Sequence, residues 1–272
     1  MAPYTLFDNP LAYFPGRARL ALVEKKVPFT SKVVNLFNGD SLKPEYLRIN
    51  PAGTVPSLAD ADSKVLFTQS REILEFADKY GDNPLGAPGA DPALVKSWVD
   101  KVADWDGNLY VAGNAPSAAK LLGSLTEFKI KFAQARAKDA PDLGDIYAKK
   151  IAAMKAAGEE GKNPQAVEAN RKQLVAILDD AEAQLAKTPY LAGTEYSMAD
   201  VIVTPVIFRT GLTGQTKELL SPRPKVSEYY NRMKARPSFQ QVFGPALSGS
   251  TAATAILPAL FKAWLAGVTG RY

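Results

Sequence analysis

Residues 81 to 92, "GDNPLGAPGADP", carry three prolines and three glycines in twelve positions. Neither a helix nor an interior strand runs through such a stretch, because proline withholds a backbone donor and glycine leaves the backbone free. It reads as a linker, and the patterns on its two sides differ. Before it, strand and helix signals alternate. "YTLF" reads as a strand, "PGRARLALVEKK" as a helix with Pro15 at an early position, and "FTSKVVNL" as a second strand. A short helix around "LKPEYLRI", strands "TVPSL" and "KVLF", and a helix from Ser70 to Tyr80 complete the order βαβ then αββα. Residues 1–80 are therefore expected to form one α/β domain.

After the linker the periodicity is helical. Leu94, Trp98, Val102, Trp105 and Leu109 recur at spacings of three and four, as do Leu174, Leu178, Ala181 and Leu185. An all-α domain is expected over 93–245. Between its first two core helices, about 115–165 form a polar Ala/Lys/Glu-rich segment too long for a simple connection. It reads as an insertion, mobile and partly helical. In "YSMADV", Ser197 has the spacing to cap a helix whose third residue is Asp200, with Tyr196 and Val201 placed as a hydrophobic staple. Residues 246–272 form an apolar tail. Its core, "TAATAILPALFKAWLAGV", is marginal in length for a membrane span and is interrupted by Pro258 and Lys262. It reads as a helix docked on the core, with membrane contact as the alternative.

The chain has no cysteine and no histidine. Disulfides, thiolate metal sites, cysteine nucleophiles and the Ser-His-Asp triad are excluded, and no metal is expected. Any activity must use tyrosine, serine, asparagine, carboxylates, lysine, arginine or the backbone. The net charge of +5, from 33 basic against 28 acidic residues, suits an anionic small ligand. No nucleic-acid motif accompanies it, so no nucleic-acid partner is expected. "MAPYTLFDNP" lacks the pattern of a signal peptide, which gives a cytoplasmic expectation.

"INPAGTVPSL", residues 49–58, puts Pro56 at the entrance of a short apolar run. A proline there is tolerated at a strand's first position or on an edge. With a cis Val55-Pro56 bond, Val55 would present its N–H and C=O as a docking edge for an extended peptide. An ordinary turn is the alternative.

The order βαβ-αββα with "NPAGTVP", then "TQS" opening a helix, a Pro/Gly linker, and "YSMAD" before a buried helix resembles the cytosolic glutathione transferases over about residues 4–245. The insertion and tail are similar to the tetrachlorohydroquinone-dehalogenase-like and ganglioside-induced-differentiation-protein-like branches. The resemblance implies a thioredoxin-like α/β N-terminal domain followed by an all-α helical-bundle domain. It also implies a homodimer and a role in detoxification. Glutathione would be the co-substrate and a hydrophobic small molecule the partner. Val55 would pair its backbone with the cysteinyl portion, followed by cis Pro56. Gln69 and Ser70 would hold the γ-glutamyl end, and Lys43 or Arg17 would meet the glycyl carboxylate. Thr54 stands where many relatives carry lysine or glutamine.

Thiol activation is where the chain departs from the family. A free thiol titrates near ~8.5, and lowering it by about two units requires roughly 2.7 kcal/mol of thiolate stabilisation. Relatives place serine, cysteine or tyrosine for this, and the serine or cysteine position falls on Ala12. Tyr13 is the adjacent hydroxyl, although the tyrosine-type echo in "YFPGRAR" is out of register by about five positions. Asn9 is a second donor; Tyr4 and backbone donors remain. Trp105 and Tyr110 are read as core residues or walls of the electrophile pocket. The resemblance thus implies a transferase that conjugates glutathione to hydrophobic electrophiles or reduces organic hydroperoxides. A glutathione-transferase-fold binding or scaffold protein without turnover, possible at a membrane through the tail, is the alternative. Activities that need a protein thiol are disfavoured.

Overall fold

The computed structural model describes residues 2–272. Four strands form one mixed sheet: β1 (Tyr4–Asp8), β2 (Phe29–Val33), β3 (Ser57–Asp60) and β4 (Val65–Phe67), in the order β2-β1-β3-β4. β1 pairs parallel with β2 and antiparallel with β3, which pairs antiparallel with β4. Helices α1 (Tyr13–Glu24), α2 (Pro44–Leu47) and α3 (Ser70–Asp78) complete the N-terminal unit. This is the thioredoxin-like arrangement. The strand expected over "TVPSL" begins only at Ser57, after Pro56.

The remaining helices are α4 (Pro92–Ala103), α5 (Gly107–Asn114), α6 (Pro116–Asp139), α7 (Gly144–Glu160) and α8 (Pro164–Leu185), then α9 (Met198–Leu212), α10 (Thr216–Leu220), α11 (Pro224–Lys234), α12 (Pro237–Leu247) and α13 (Gly249–Thr269). The periodic run from Leu94 to Leu109 is two helices, not one. Asp106 ends the first by capping the second, its carboxylate accepting from the N–H groups of Asn108 and Leu109.

α9 is the axis of the helical domain, and every residue from Met198 to Thr210 is buried. Burying each large apolar side chain there contributes about 1.5–3 kcal/mol. Its start is fixed by Asp200, which accepts from the Ser197 N–H and hydroxyl, the Leu191 N–H and the Tyr229 hydroxyl. α1 is wedged between the sheet and this domain, in one core cluster with α9 and α12 residues. Glu24 on α1 accepts from Nε and Nη2 of Arg236 and from the Ser238 hydroxyl, closing the joint.

The segment expected to be a mobile, partly helical insertion is two long helices, α6 and α7, with a short 3₁₀ turn at Pro141–Leu143. Their apolar face forms a second cluster with Leu42 and Leu47 of the N-terminal unit and Ala266 of the tail. The Tyr147 hydroxyl donates to the Leu42 carbonyl at 2.8 Å.

The tail is one helix, α13, long and apolar enough to cross a membrane by length and composition. It docks through small residues, Ala259 and Ala266. Lys262 turns inward, donating to the Asn38 carbonyl at 3.0 Å beside the Phe132 ring. The opposite face leaves Phe261 63% and Trp264 62% exposed.

Candidate functional site

The turn after α2 is held from inside. Gly53 sits at φ +58°, where a Cβ would lie 3.1 Å from the Ser41 carbonyl oxygen, so the turn requires glycine. The Asn50 amide donates to the Thr54 carbonyl and the Ser57 hydroxyl, and its oxygen accepts from the Ala52 N–H. The Tyr46 hydroxyl also donates to the Thr54 carbonyl. The Val55-Pro56 bond is cis. The Val55 side chain is buried with Phe7, Val34, Tyr46 and Ala59. Its backbone N–H and C=O have no hydrogen bond among the described residues.

Two helix starts belong to the same unit. Ser70 is the first residue of α3 and is buried; Gln69 precedes it and is exposed, its N–H bonded to the Glu72 carboxylate. α1 begins after Ala12, which offers no side-chain cap. The N–H groups of Tyr13 and Phe14 therefore have no acceptor among the described residues.

The remaining sequence-derived residues fall elsewhere. Asn9 is buried and braces the loop: its amide donates to the Val34 carbonyl beyond β2 and its oxygen accepts from the Leu11 N–H. Lys43 pairs with Asp40 at 2.7 Å and is half exposed. Arg17 is not directed at the Val55 turn. Its guanidinium lies between the domains, donating to the Ala103 carbonyl at the end of α4 and lying against the rings of Tyr13 and Phe14. Tyr4 packs against Phe76 and Tyr80. Trp105 and Tyr110 are fully buried core residues, bonded to the Asn170 carbonyl and to Thr213 and Gln215 respectively.

Tyr13 points into the domain joint. Its ring packs edge-on against Trp105, and its buried hydroxyl has no partner among the described residues. Burial pushes its pKa up, against the opposing pull of Arg17 and Arg209. The sequence reading missed Arg209, a buried arginine on α9 whose guanidinium lies 5.2 Å from the Tyr13 ring centroid. Burial lowers its pKa to about 10. The signal was present as one arginine in the apolar run "VIVTPVIFRTGL".

Models of the glutathione S-transferase N-terminal and C-terminal domains match residues 13–79 and 164–232. Glutathione S-transferase TCHQD of Arabidopsis thaliana is 31% identical over 245 residues, covering 90% of this chain and 91% of that protein. Tetrachloro-p-hydroquinone reductive dehalogenase of Sphingobium chlorophenolicum is 28% identical over 243 residues, covering 88% and 95%. The crystal structure of glutathione transferase F2 from Populus trichocarpa superposes with a TM-score of 0.62 at 25% identity, covering 91% of this chain and 100% of that one. With both domain models matched in order along a thioredoxin-like unit and a helical bundle, the chain belongs to the cytosolic glutathione S-transferase superfamily.

Proposed function

We propose that this protein is a glutathione transferase that binds glutathione along the Val55 edge and adds its thiolate to hydrophobic electrophiles. The observation that carries the reading is the unbonded Val55 backbone in a turn fixed by Tyr46 and Asn50. A peptide paired there gains two backbone hydrogen bonds with no rearrangement of the turn. Ser70 and the start of α3 suit the α-carboxylate of a γ-glutamyl group, and Gln69 suits its ammonium. Of the two sequence candidates for the glycyl carboxylate, half-exposed Lys43 suits it better, since Arg17 is committed to the Ala103 carbonyl.

Thiolate stabilisation is assigned to the α1 N-terminus rather than to a side-chain hydroxyl. The free N–H groups of Tyr13 and Phe14, together with the helix dipole, favour an anion at that point. Conjugation then needs no protein nucleophile. A dehalogenation that passes through a protein–glutathione disulfide is closed to a chain without cysteine.

One observation favours a second reading, a binding protein without turnover. Ala12 lacks a hydroxyl and that of Tyr13 is buried in the domain joint. An ultraviolet difference titration of bound glutathione separates the two, with calorimetry to confirm occupancy. A thiol pKa clearly below the free value supports the transferase, and it should persist in Tyr13→Phe. Bound glutathione with an unshifted thiol supports the binding protein.

A further inference from the structure

Two lysines of the α6–α7 pair lack the partners that nearby basic residues have. Lys43 pairs with Asp40 at 2.7 Å and Arg48 with Asp142 at 2.9 Å. Lys129 on α6 and Lys150 on α7 have neither an ion pair nor a hydrogen bond among the described residues. Burial lowers both pKa values, that of Lys150 to about 8 with the Lys129 charge contributing. Lys150 thus keeps its proton near neutral pH, at a cost that a neighbouring anion would remove.

The position of Lys150 is fixed from both sides. It lies one helical turn beyond Tyr147, whose hydroxyl holds this part of α7 to the Leu42 carbonyl. Its Cε is 3.3 Å from the point that a Cβ on Gly53 would occupy, two residues before Val55. Both lysines are partly buried, yet neither ammonium nitrogen is sealed from solvent.

Pairing at Val55 determines which end of a bound tripeptide comes here. A residue that exchanges both its N–H and its C=O with one ligand residue makes the hydrogen-bonded pair of an antiparallel ladder. With the cysteinyl unit opposite Val55, the next unit towards the ligand's C-terminus lies opposite Thr54, about 3.4 Å further along. That unit is glycyl, and its carboxylate is directed back towards Gly53. Thr54 is exposed and carries no charge to meet it.

We infer that Lys150, with Lys129 beside it, holds the glycyl carboxylate of glutathione, so that α6 and α7 complete a site otherwise built by the α/β unit. The inference rests on the transferase reading and names further residues of that same site. The carboxylate supplies the partner that no protein side chain gives Lys150.

Calorimetry on the full chain near neutral pH compares glutathione with its glycyl amide, which keeps the shape and loses the charge. The native protein is expected to bind the acid about ten-fold more tightly than the amide. Lys150→Met should weaken the acid about ten-fold and leave the amide within about two-fold, bringing the ratio to about one. Lys150→Arg, which keeps the charge, should retain most of the preference, and Lys129→Met should reduce it about three-fold. Lys150→Met should melt no lower than the native protein, because it removes a desolvated charge without a partner. Lys150→Gln repeats the comparison with a polar side chain.

Equal affinity of the native protein for acid and amide overturns the inference and leaves the transferase reading in place. So does a preference that survives undiminished in Lys150→Met and Lys150→Gln. Failure of both variants to fold assigns Lys150 to the fold and overturns the inference as well. If neither acid nor amide binds the native protein, the transferase reading falls and the inference with it.

Discussion

The Tyr46 hydroxyl donates to the Thr54 carbonyl oxygen at 2.6 Å, joining α2 directly to the turn that presents Val55. Removing that hydroxyl leaves the Thr54 oxygen its second donor, the Asn50 amide. Tyr46→Phe is therefore expected to cost about 1 kcal/mol of stability, read from urea unfolding. It should weaken glutathione binding about three-fold in calorimetry. Unchanged affinity would separate this hydrogen bond from ligand binding.

Ser70 opens α3 with its side chain buried. If it meets a γ-glutamyl carboxylate, Ser70→Ala should raise the glutathione dissociation constant about ten-fold, the size of one charge-assisted hydrogen bond. Melting temperature should move little, because the first helical position contributes less than the cap. A large stability loss with unaltered binding would assign Ser70 to the fold.

Lys150 on α7 lies against the Gly53 turn, and burial, reinforced by Lys129, lowers its pKa from 10.5 to about 8. Between these values the unfolded chain holds a proton that the folded one has released. The contribution of Lys150 to stability therefore rises with pH from about 8 to 10.5. Chemical unfolding of native protein and Lys150→Met across that window should converge as pH rises. A constant difference would contradict the assignment.

The two faces of α13 should respond in opposite ways. Phe261→Ser and Trp264→Ser change exposed side chains and should leave unfolding within about 0.5 kcal/mol of native. Ala266→Leu adds bulk where the helix meets the second apolar cluster and should cost about 1–3 kcal/mol. Thermal and urea unfolding of these variants provide the check.

Much of the architecture was legible because it is written locally. Pro and Gly mark the break between α3 and α4, Ser197 and Asp200 mark the start of α9, and Asn-Pro with Gly53 marks the turn before Val55. What escaped depends on partners distant in sequence. Hydrophobic spacing continues from α4 into α5 because both face one core, so only Asp106 and Gly107 signal the break. The α6–α7 pair looked unsupported because its apolar partners are Leu42 and Ala266, far away on either side. Tyr13 was read as a candidate hydroxyl for the thiol, yet α1 is covered on nearly every side and its first residue is buried. The identity of Arg209 was visible, but its place against the Tyr13 ring was not.

The loop between β2 and α2 owes its packing to chain made much later. Asn35 donates to the Ala255 carbonyl, Asn38 accepts from Lys262, and Leu42 accepts from Tyr147. During synthesis all four strands leave the ribosome well before α7 and α13. A nascent chain thus carries a complete sheet beneath a loop that stays unfinished until α7 and α13 have followed it.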